Sequence, residues 1–174
     1  RGYSSGSLVS DAFYAKNIDG AMAAGIETGV YIFSQAITVE EAVEEADYVI
    51  SLLEGHEISG PVAYDWEMHD STYRVYGISP EVATACALAF CKRIEEAGYQ
   101  PMIYTSQYVA YNKFNLPQLA DYPIWYPEYK SASSENCILG SIIRWTSGSF
   151  PAAAPLMESA AEWMPTSSFS ADAG

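Results

Sequence analysis

Short apolar runs alternate along the chain with longer amphipathic segments. Residues 29–33, 61–64, 101–104 and 123–126 are apolar enough to form buried strands. Between the first two runs, the hydrophobic residues of segment 39–53 recur at helical spacing and share one stripe. Apolar strands separated by amphipathic helices are typical of a parallel sheet with helices covering its outer face. The pattern therefore predicts an α/β fold.

Polar residues and glycines mark the expected helix ends. Thr38 and Glu41 have the spacing of a capping box, and Ser79 before a proline is a typical helix start. Asp11 is placed to cap an earlier helix that runs to about Ala24. A glycine follows each of these three segments, where it would end the helix.

The two ends of the chain depart from this alternation. Residues 1–11 read as a Gly/Ser-rich loop, and residues 138–146 could hold one more strand. Residues 147–174 are rich in Ser, Ala and Pro, and their hydrophobic residues follow no sustained period. We therefore expect one domain over residues 1–146, followed by an irregular tail.

Charge and cysteine content exclude several classes of partner. The 174 residues include 8 Lys plus Arg against 22 Asp plus Glu, which gives a net charge of −14. Such a surface repels phosphate backbones and anionic headgroups, so neither nucleic acid nor membrane is an expected partner. No apolar run approaches the roughly 20 residues that span a bilayer. Three cysteines are too few and too unpatterned for a disulfide framework or a zinc site.

Right-handed strand–helix–strand units build either an open doubly wound sheet or a barrel. No Gly-rich phosphate-binding motif follows a strand, which weakens the nucleotide-binding alternative. In a barrel the chemistry lies at the carboxyl ends of the strands, although a complete barrel usually has about 250 residues. Those ends carry aromatic residues and carboxylates, which suit sugar rings: Tyr31, Phe33, Asp65, Glu67, Tyr104, Trp125 and Glu128.

Asp65 and Glu67 form the strongest candidate for chemistry. Two residues apart on a strand, they leave the same face, with Cα atoms about 6.6 Å apart. Neighbouring Tyr64 and Trp66 would desolvate them, and two like charges resist ionising together, so one carboxyl keeps a proton. We expect that proton on Glu67. Glycoside hydrolysis needs this division into one proton donor and one anion, and the spacing leaves a retaining or an inverting course open.

Less specific interpretations compete with this one. A D-x-E pair at a strand end is often a solvated rim or a helix cap. His56 and His69 lie in predicted loops at no metal-ligand spacing and are interpreted as structural or surface residues. The acidic run at residues 40–45 is interpreted as a solvated helix face. Packing is the default interpretation for the tyrosines away from strand ends, such as Tyr3 and Tyr73.

Four stretches of the sequence carry a family resemblance. They read NIDGAMAAGIETGVYIFSQAITVEEAVEEADYVISLLEG, PVAYDWE, AFCKRIEEAGYQPMIYTS and NKFNLPQLADYPIWYPEY, and the similarity extends over roughly residues 1–130. Together they resemble the glycoside hydrolase family 25 lysozymes, the Chalaropsis-type N-acetylmuramidases, and most of all their bacterial, Clostridium-like branch. The combination of strand-end aromatics, A-A-G turn and D-x-E in this order is specific.

The resemblance implies a modified (β/α)5β3 barrel that cleaves the β-1,4 bond between N-acetylmuramic acid and N-acetylglucosamine in peptidoglycan. It gives Glu67 the role of general acid and Asp65 that of the partner carboxylate. Asp65 either attacks directly or orients the substrate acetamido group as internal nucleophile, and we favour the second. The resemblance implies no metal and no cofactor, and a groove lined by Tyr31, Phe33, Tyr104 and Trp125.

Two departures from the family pattern concern the ends of the barrel. The family carries a D-x-S motif on its first strand, and this chain begins after that point. The segment Ile143-Arg144-Trp145-Thr146 faintly resembles a family W-Q-Y-T segment, and nothing matches the closing V-D-x-N. We therefore expect an incomplete barrel, with residues 1–146 as the catalytic domain. The resemblance also implies a monomer acting outside the cell or at its wall; an inactive glycan-binding remnant and a chitinase-like glycosidase remain as alternatives.

Overall fold

The computed structural model describes residues 1–127, in which parallel strands alternate with helices. The predictions for residues 138–146 and 147–174 lie outside the described residues. Two single turns of 3-10 helix, Arg74–Gly77 and Leu116–Leu119, complete the described elements. The strands are β1 (Val30–Ser34), β2 (Val62–Trp66), β3 (Pro101–Tyr104) and β4 (Ile124–Trp125), and the helices are α1 (Tyr14–Ala23), α2 (Val39–Leu52), α3 (Pro80–Glu96) and α4 (Gln107–Lys113).

The strands form one parallel sheet in sequence order, β1-β2-β3-β4, which confirms the predicted α/β class. Ile32 pairs with Tyr64, Tyr64 with Ile103, and Ile103 with Ile124, so a single row crosses the sheet. Because all the strands are parallel, their carboxyl ends meet at one edge. Within residues 1–127 the sheet stays open, with β1 and β4 at its sides.

The core lies between the sheet and the helices α2 and α3, which pack against each other. Every residue of β2 is buried, as expected for an apolar strand covered on both faces. The Tyr64 ring lies 4.8 Å from that of Phe90 on α3, and the Trp66 ring 5.5 Å from that of Phe114. These large buried rings fix β2, and with it the chain that follows β2.

Local sequence signals set most of the helix ends. The Thr38 hydroxyl accepts a hydrogen bond from the Glu41 amide at the start of α2, as predicted. The return contact differs from a standard capping box, because the Glu41 carboxylate accepts from the Ile37 amide. Ser79 caps α3 as predicted. The predicted start of α1 is wrong: Asp11 accepts from a loop amide, and the helix begins at Tyr14.

The acidic run on α2 is not uniformly solvated, so that interpretation is corrected. Glu45 is fully buried, where Arg1 Nε donates to it at 2.9 Å and Ser34 Oγ at 2.6 Å. Burial raises the pKa of Glu45, and these two partners act against that rise. Glu40 and Glu44 are exposed, as expected. The prediction failed at Glu45 because its partner Arg1 is distant in sequence.

Helix α4 was not predicted, because its seven residues are too few to show a helical period. It follows β3 at the carboxyl edge of the sheet. Cys86 and Cys91 on α3 are buried and unpaired, in agreement with their angular separation of about 140°. None of the helices in the described part of the chain is long and apolar enough to cross a membrane.

Candidate active site

The carboxyl edge of the sheet holds a cleft of about 290 Å³. The parallel register sets its lining, because Asp65 on β2 pairs with Tyr104 on β3, and Tyr104 pairs with Trp125 on β4. One face of three neighbouring strand ends therefore carries a carboxylate and two aromatic rings. The lining residues are Tyr31, Asp65, Glu67, Tyr104 and Trp125.

Asp65 and Glu67 lie together in this cleft, as the alternation of a strand requires. Asp65 is 8% exposed, whereas the Glu67 side chain is 27% exposed. The two carboxyl groups interact directly, while Asp65 Oδ1 is buried without a hydrogen-bond partner among the described residues. Burial raises the pKa of Asp65 to about 7, helped by the negative charge of Glu67 and by its hydrogen-bonding interaction with that carboxyl.

The position of the raised pKa corrects one sequence-based expectation. We expected the retained proton on Glu67, but burial acts more strongly on Asp65, which lies deeper in the sheet. Because the carboxyls interact directly, the proton belongs to the pair and can be held by either partner. One proton shared by two adjacent carboxyls is the arrangement that acid catalysis at neutral pH requires.

A buried glutamine holds the chain at Glu67. Gln35 Nε2 donates to the backbone oxygens of Ser34 and Glu67, both at 3.0 Å, and so ties the end of β1 to that of β2. Arg74 in turn donates to the Gln35 backbone oxygen at 3.0 Å and to the Glu41 carboxylate. Sequence reasoning missed Gln35; its signal is a polar residue directly after an apolar strand.

The aromatic rings of the cleft are available to a ligand. Tyr31 is 65% exposed and Trp125 is 50% exposed, so both rings are open to the cleft that they line. The ring of Tyr104 lies 4.9 Å from that of Trp125 in an edge-on arrangement. Exposed rings beside carboxyls suit a sugar, because they cover its apolar face while its hydroxyls keep polar partners.

Phe33 does not join the cleft lining, although it was expected in the same groove. Its ring packs edge-on against Tyr73 at 6.4 Å. Tyr73 also stacks on Tyr3 at 5.1 Å and contacts His69 at 5.3 Å. These four residues form a second aromatic cluster, which reaches Glu67 through His69. The packing role expected for Tyr3 and Tyr73 agrees with these contacts.

The two histidines differ in their surroundings. His56 Nδ1 lies 3.4 Å from Asp19, in the loop that precedes β2. His69 is at the surface, as expected, but its Nε2 lies 3.2 Å from Glu67 Oε2, a contact that the sequence analysis missed. The signal was the spacing 65, 67 and 69, which extends the D-x-E alternation by one step. No group of metal-ligating side chains that could hold an ion occurs within residues 1–127.

Adjacent carboxyls beside exposed rings, at the carboxyl ends of parallel strands, have the form of a glycosidase site. The family model of the glycosyl hydrolases family 25 matches residues 3–148, and the chain belongs to that family. The resemblance found in the sequence is thereby confirmed at the level of the family. Its Clostridium-like branch stays a prediction, and no curated protein matches the chain.

Solved structures of similar fold include two of the modular autolysin LytC from Streptococcus pneumoniae. The first is 24% identical with a TM-score of 0.63, over 75% of this chain and 32% of that one. The second, in complex with a synthetic peptidoglycan ligand, is 22% identical with the same TM-score and coverage. The CTP1L endolysin is 23% identical with a TM-score of 0.57, over 74% of this chain and 42% of that one. The chain thus spans about a third of the autolysin and under half of the endolysin.

Proposed function

We propose that this chain is a peptidoglycan hydrolase, an N-acetylmuramidase that cleaves the β-1,4 bond between N-acetylmuramic acid and N-acetylglucosamine. The observation that carries the proposal is the pair of interacting carboxyls, Asp65 and Glu67, in a cleft lined by aromatic rings. Membership of glycosyl hydrolases family 25 supports it. So does the peptidoglycan ligand in the similar structure of LytC.

Glu67 is the general acid in this proposal. It is the more exposed carboxyl of the pair, so it can reach a glycosidic oxygen that Asp65, buried below it, cannot. As the bond from the anomeric carbon to that oxygen breaks, the oxygen keeps the electron pair and takes the Glu67 proton. The resulting carboxylate later accepts a proton from the water that hydrolyses the intermediate, which restores Glu67.

Asp65 acts as the partner carboxylate and not as the attacking group. Carboxyls that act on opposite sides of a sugar stand roughly 5 to 5.5 Å apart in retaining enzymes and about 6.5 to 9.5 Å apart in inverting ones. Asp65 and Glu67 leave the same face of one strand and interact directly, so they approach a sugar from one side and not from opposite sides. This favours attack by the oxygen of the substrate's own acetamido group, with the Asp65 carboxylate accepting a hydrogen bond from its N–H.

The aromatic residues bind the glycan strand. Tyr31, Tyr104 and Trp125 give the sugars a stacking surface beside the carboxyls. Phe33 is assigned to the groove wall that it forms with Tyr73, and not to the cleft lining. These rings cover the apolar faces of sugars, and the net charge of the chain disfavours nucleic acid and membranes as partners.

The wider organisation is part of the same proposal. We assign residues 1–146 to a catalytic domain with a (β/α)5β3 barrel, of which the parallel sheet is a part, and residues 147–174 to an irregular tail. The enzyme would act as a monomer, without metal or cofactor, outside the cell or at its wall. The names autolysin and endolysin, given to proteins of similar fold, support a role at the wall.

Replacement of the acid tests the proposal. Glu67→Gln should lower the release of reducing ends from purified peptidoglycan by about 100- to 10,000-fold, because general acids contribute on this scale. Binding of cell-wall fragments, followed by the fluorescence of the cleft tryptophan, should persist. Glu57→Gln, at an exposed glutamate in the loop before β2, serves as the matched control and should keep full activity.

Each other outcome contradicts part of the proposal. If Glu67→Gln cleaves walls as fast as the parent chain, the acid assignment is wrong. Wall binding by the parent chain without any reducing-end release would identify an inactive glycan-binding remnant. Hydrolysis of chitin in preference to peptidoglycan would point to the chitinase-like alternative.

A further inference from the structure

Three ionisable side chains form a line from the interior of the site to solvent. The Asp65 carboxyl contacts the Glu67 carboxyl, and Glu67 Oε2 lies 3.2 Å from His69 Nε2. Exposure rises along this line, from 8% for Asp65 to 61% for the His69 side chain. Glu67 therefore has a carboxyl neighbour on its buried side and an imidazole neighbour on its solvent side.

The His69 ring is held in place although it is exposed. Its edge packs against Tyr73, with ring centroids 5.3 Å apart and planes at 67°. Tyr73 is itself fixed, because it stacks on Tyr3 and contacts Phe33. The second aromatic cluster thus keeps the imidazole nitrogen facing the Glu67 carboxyl, so the contact does not depend on a free surface side chain.

We propose that His69 is a positioning residue for the shared proton of the carboxyl pair, and that its charge decides whether Asp65 or Glu67 carries that proton. The inference rests on the proposed function, in which Glu67 must be protonated to donate. A cationic imidazole at 3.2 Å stabilises the Glu67 carboxylate and so moves the shared proton to Asp65. A neutral imidazole removes that bias, and the proton becomes available on Glu67.

The other charged group beside the imidazole is also acidic. Asp70 adds a second carboxylate near His69. The pKa of Asp70 is lowered by hydrogen bonds from Thr72 and, less strongly, by the charge of His69. Tyr73 packs on the ring, and Arg74 is engaged by the Glu41 carboxylate. Within residues 1–127, the ionisable groups around His69 and Glu67 are therefore mainly acidic.

The inference gives His69 a defined effect on the pH dependence of the enzyme. Histidine is the side chain whose charge can change between pH 5 and pH 8, and a positive charge beside Glu67 should lower the fraction of Glu67 that holds the proton, and the rate with it. Because the contact is partly exposed, the effect should be modest, about two- to five-fold.

Two substitutions of opposite charge test this in the full chain. In His69→Gln the side chain beside Glu67 is neutral at every pH. The ratio of kcat at pH 5 to kcat at pH 7 should therefore rise about two- to five-fold over the parent chain. In His69→Lys the side chain at this position stays positively charged, and kcat at pH 7 should fall by a similar factor. KM should change little in both, because the proton affects the chemical step. His56→Gln, at the histidine paired with Asp19, is the matched control and should keep the parent profile.

A second measurement is independent of activity. The imidazole signals of both histidines can be followed by NMR from pH 4 to pH 9 in the parent chain and in Glu67→Gln. Loss of the carboxylate should move the His69 midpoint to lower pH, because the imidazolium then lacks its negative neighbour at 3.2 Å. The His56 midpoint should not move.

The outcomes separate this inference from the function on which it rests. Identical pH profiles for His69→Gln and the parent chain, or an unmoved His69 midpoint in Glu67→Gln, would overturn it. A parent chain without hydrolytic activity would contradict the proposed function, while a shifted His69 midpoint would still confirm the coupling. If His69→Gln does not fold, His69→Lys and the NMR titration still decide the question.

Discussion

Asp65 lies near the end of β2, and Glu67 follows the strand. This difference in position determines how far each carboxyl lies from water. Asp65 is enclosed by the sheet, and Glu67 reaches the cleft. Desolvation therefore acts mainly on Asp65, while substrate can reach mainly Glu67. The two carboxyls can then have different roles, in which the buried one holds a proton and the accessible one donates it to the substrate.

This division predicts a dependence of folding stability on pH. The pKa of Asp65 is about 7 in the folded chain, against an ordinary value of 3.8. Between these values the folded chain binds a proton that the unfolded chain has lost. A rise in pH through this window therefore favours unfolding, by at most about 1.4 kcal/mol per pH unit, and the loss is complete above pH 7. Solvent at the cleft reduces the slope below this limit.

Asp65→Asn removes the titrating group and should flatten this part of the profile. Urea unfolding at pH 4.5, 6 and 7.5 measures the free energy of unfolding for both chains. The stability of the variant relative to the parent should rise with pH. Asp121→Asn, at an exposed carboxyl, is the control and should follow the parent. Parallel curves for Asp65→Asn and the parent would contradict the raised pKa.

At the scale of the elements, signals that act within a few residues were readable from the sequence. The caps at Thr38 and Ser79 formed as predicted, and positive φ angles at Gly55 and Gly98 follow α2 and α3. A side-chain oxygen three residues from an amide needs no tertiary structure to find its partner. Helix α4 has such a cap at Ser106 too, but its seven residues carry no period by which to recognise it.

Contacts between distant elements could not be read in this way. Glu45 has the sequence context of a solvated helix face, and its burial depends on Arg1, 44 residues away. The same limit explains His69: the alternation 65, 67 and 69 was visible, but the contact with Glu67 depends on how the loop after β2 folds. Phe33 packs on Tyr73, which itself stacks on Tyr3, and these rings approach one another only in the tertiary structure.

The Arg1–Glu45 pair predicts a large difference between neighbouring glutamates of α2. Glu45→Ala leaves Arg1 without its buried partner and should cost about 3 kcal/mol, because the charge that remains is poorly solvated. Glu44→Ala removes a carboxylate that binds the same Arg1 but is 60% exposed, and should cost less than about 1 kcal/mol. Urea unfolding of both variants measures the difference. Equal losses in the free energy of unfolding would mean that the buried Arg1–Glu45 pair stabilises the fold no more than the exposed Arg1–Glu44 pair.

At the scale of the whole molecule, the parallel topology decides where chemistry is possible. Strand ends from three different parts of the chain meet at one edge because every crossover returns the chain to the same starting side. The site could therefore be anticipated as a set of residues at strand ends, and five of the six residues expected in the carboxyl pair and the groove line one cleft. The exception, Phe33, lies on the same edge but packs on Tyr73.

The net charge of −14 predicts how the chain responds to salt on its proposed substrate. Cell walls that carry anionic polymers repel such a chain, and the repulsion is screened as the Debye length falls from roughly 30 Å at 0.01 M to about 8 Å at 0.15 M salt. The rate of hydrolysis of intact walls at low enzyme concentration should therefore rise several-fold over this range. Walls stripped of anionic polymers are the control and should show less than about a two-fold change, because a neutral glycan has no field to screen. A rate on intact walls that falls with salt would instead mean that local positive charge attracts the chain to the wall.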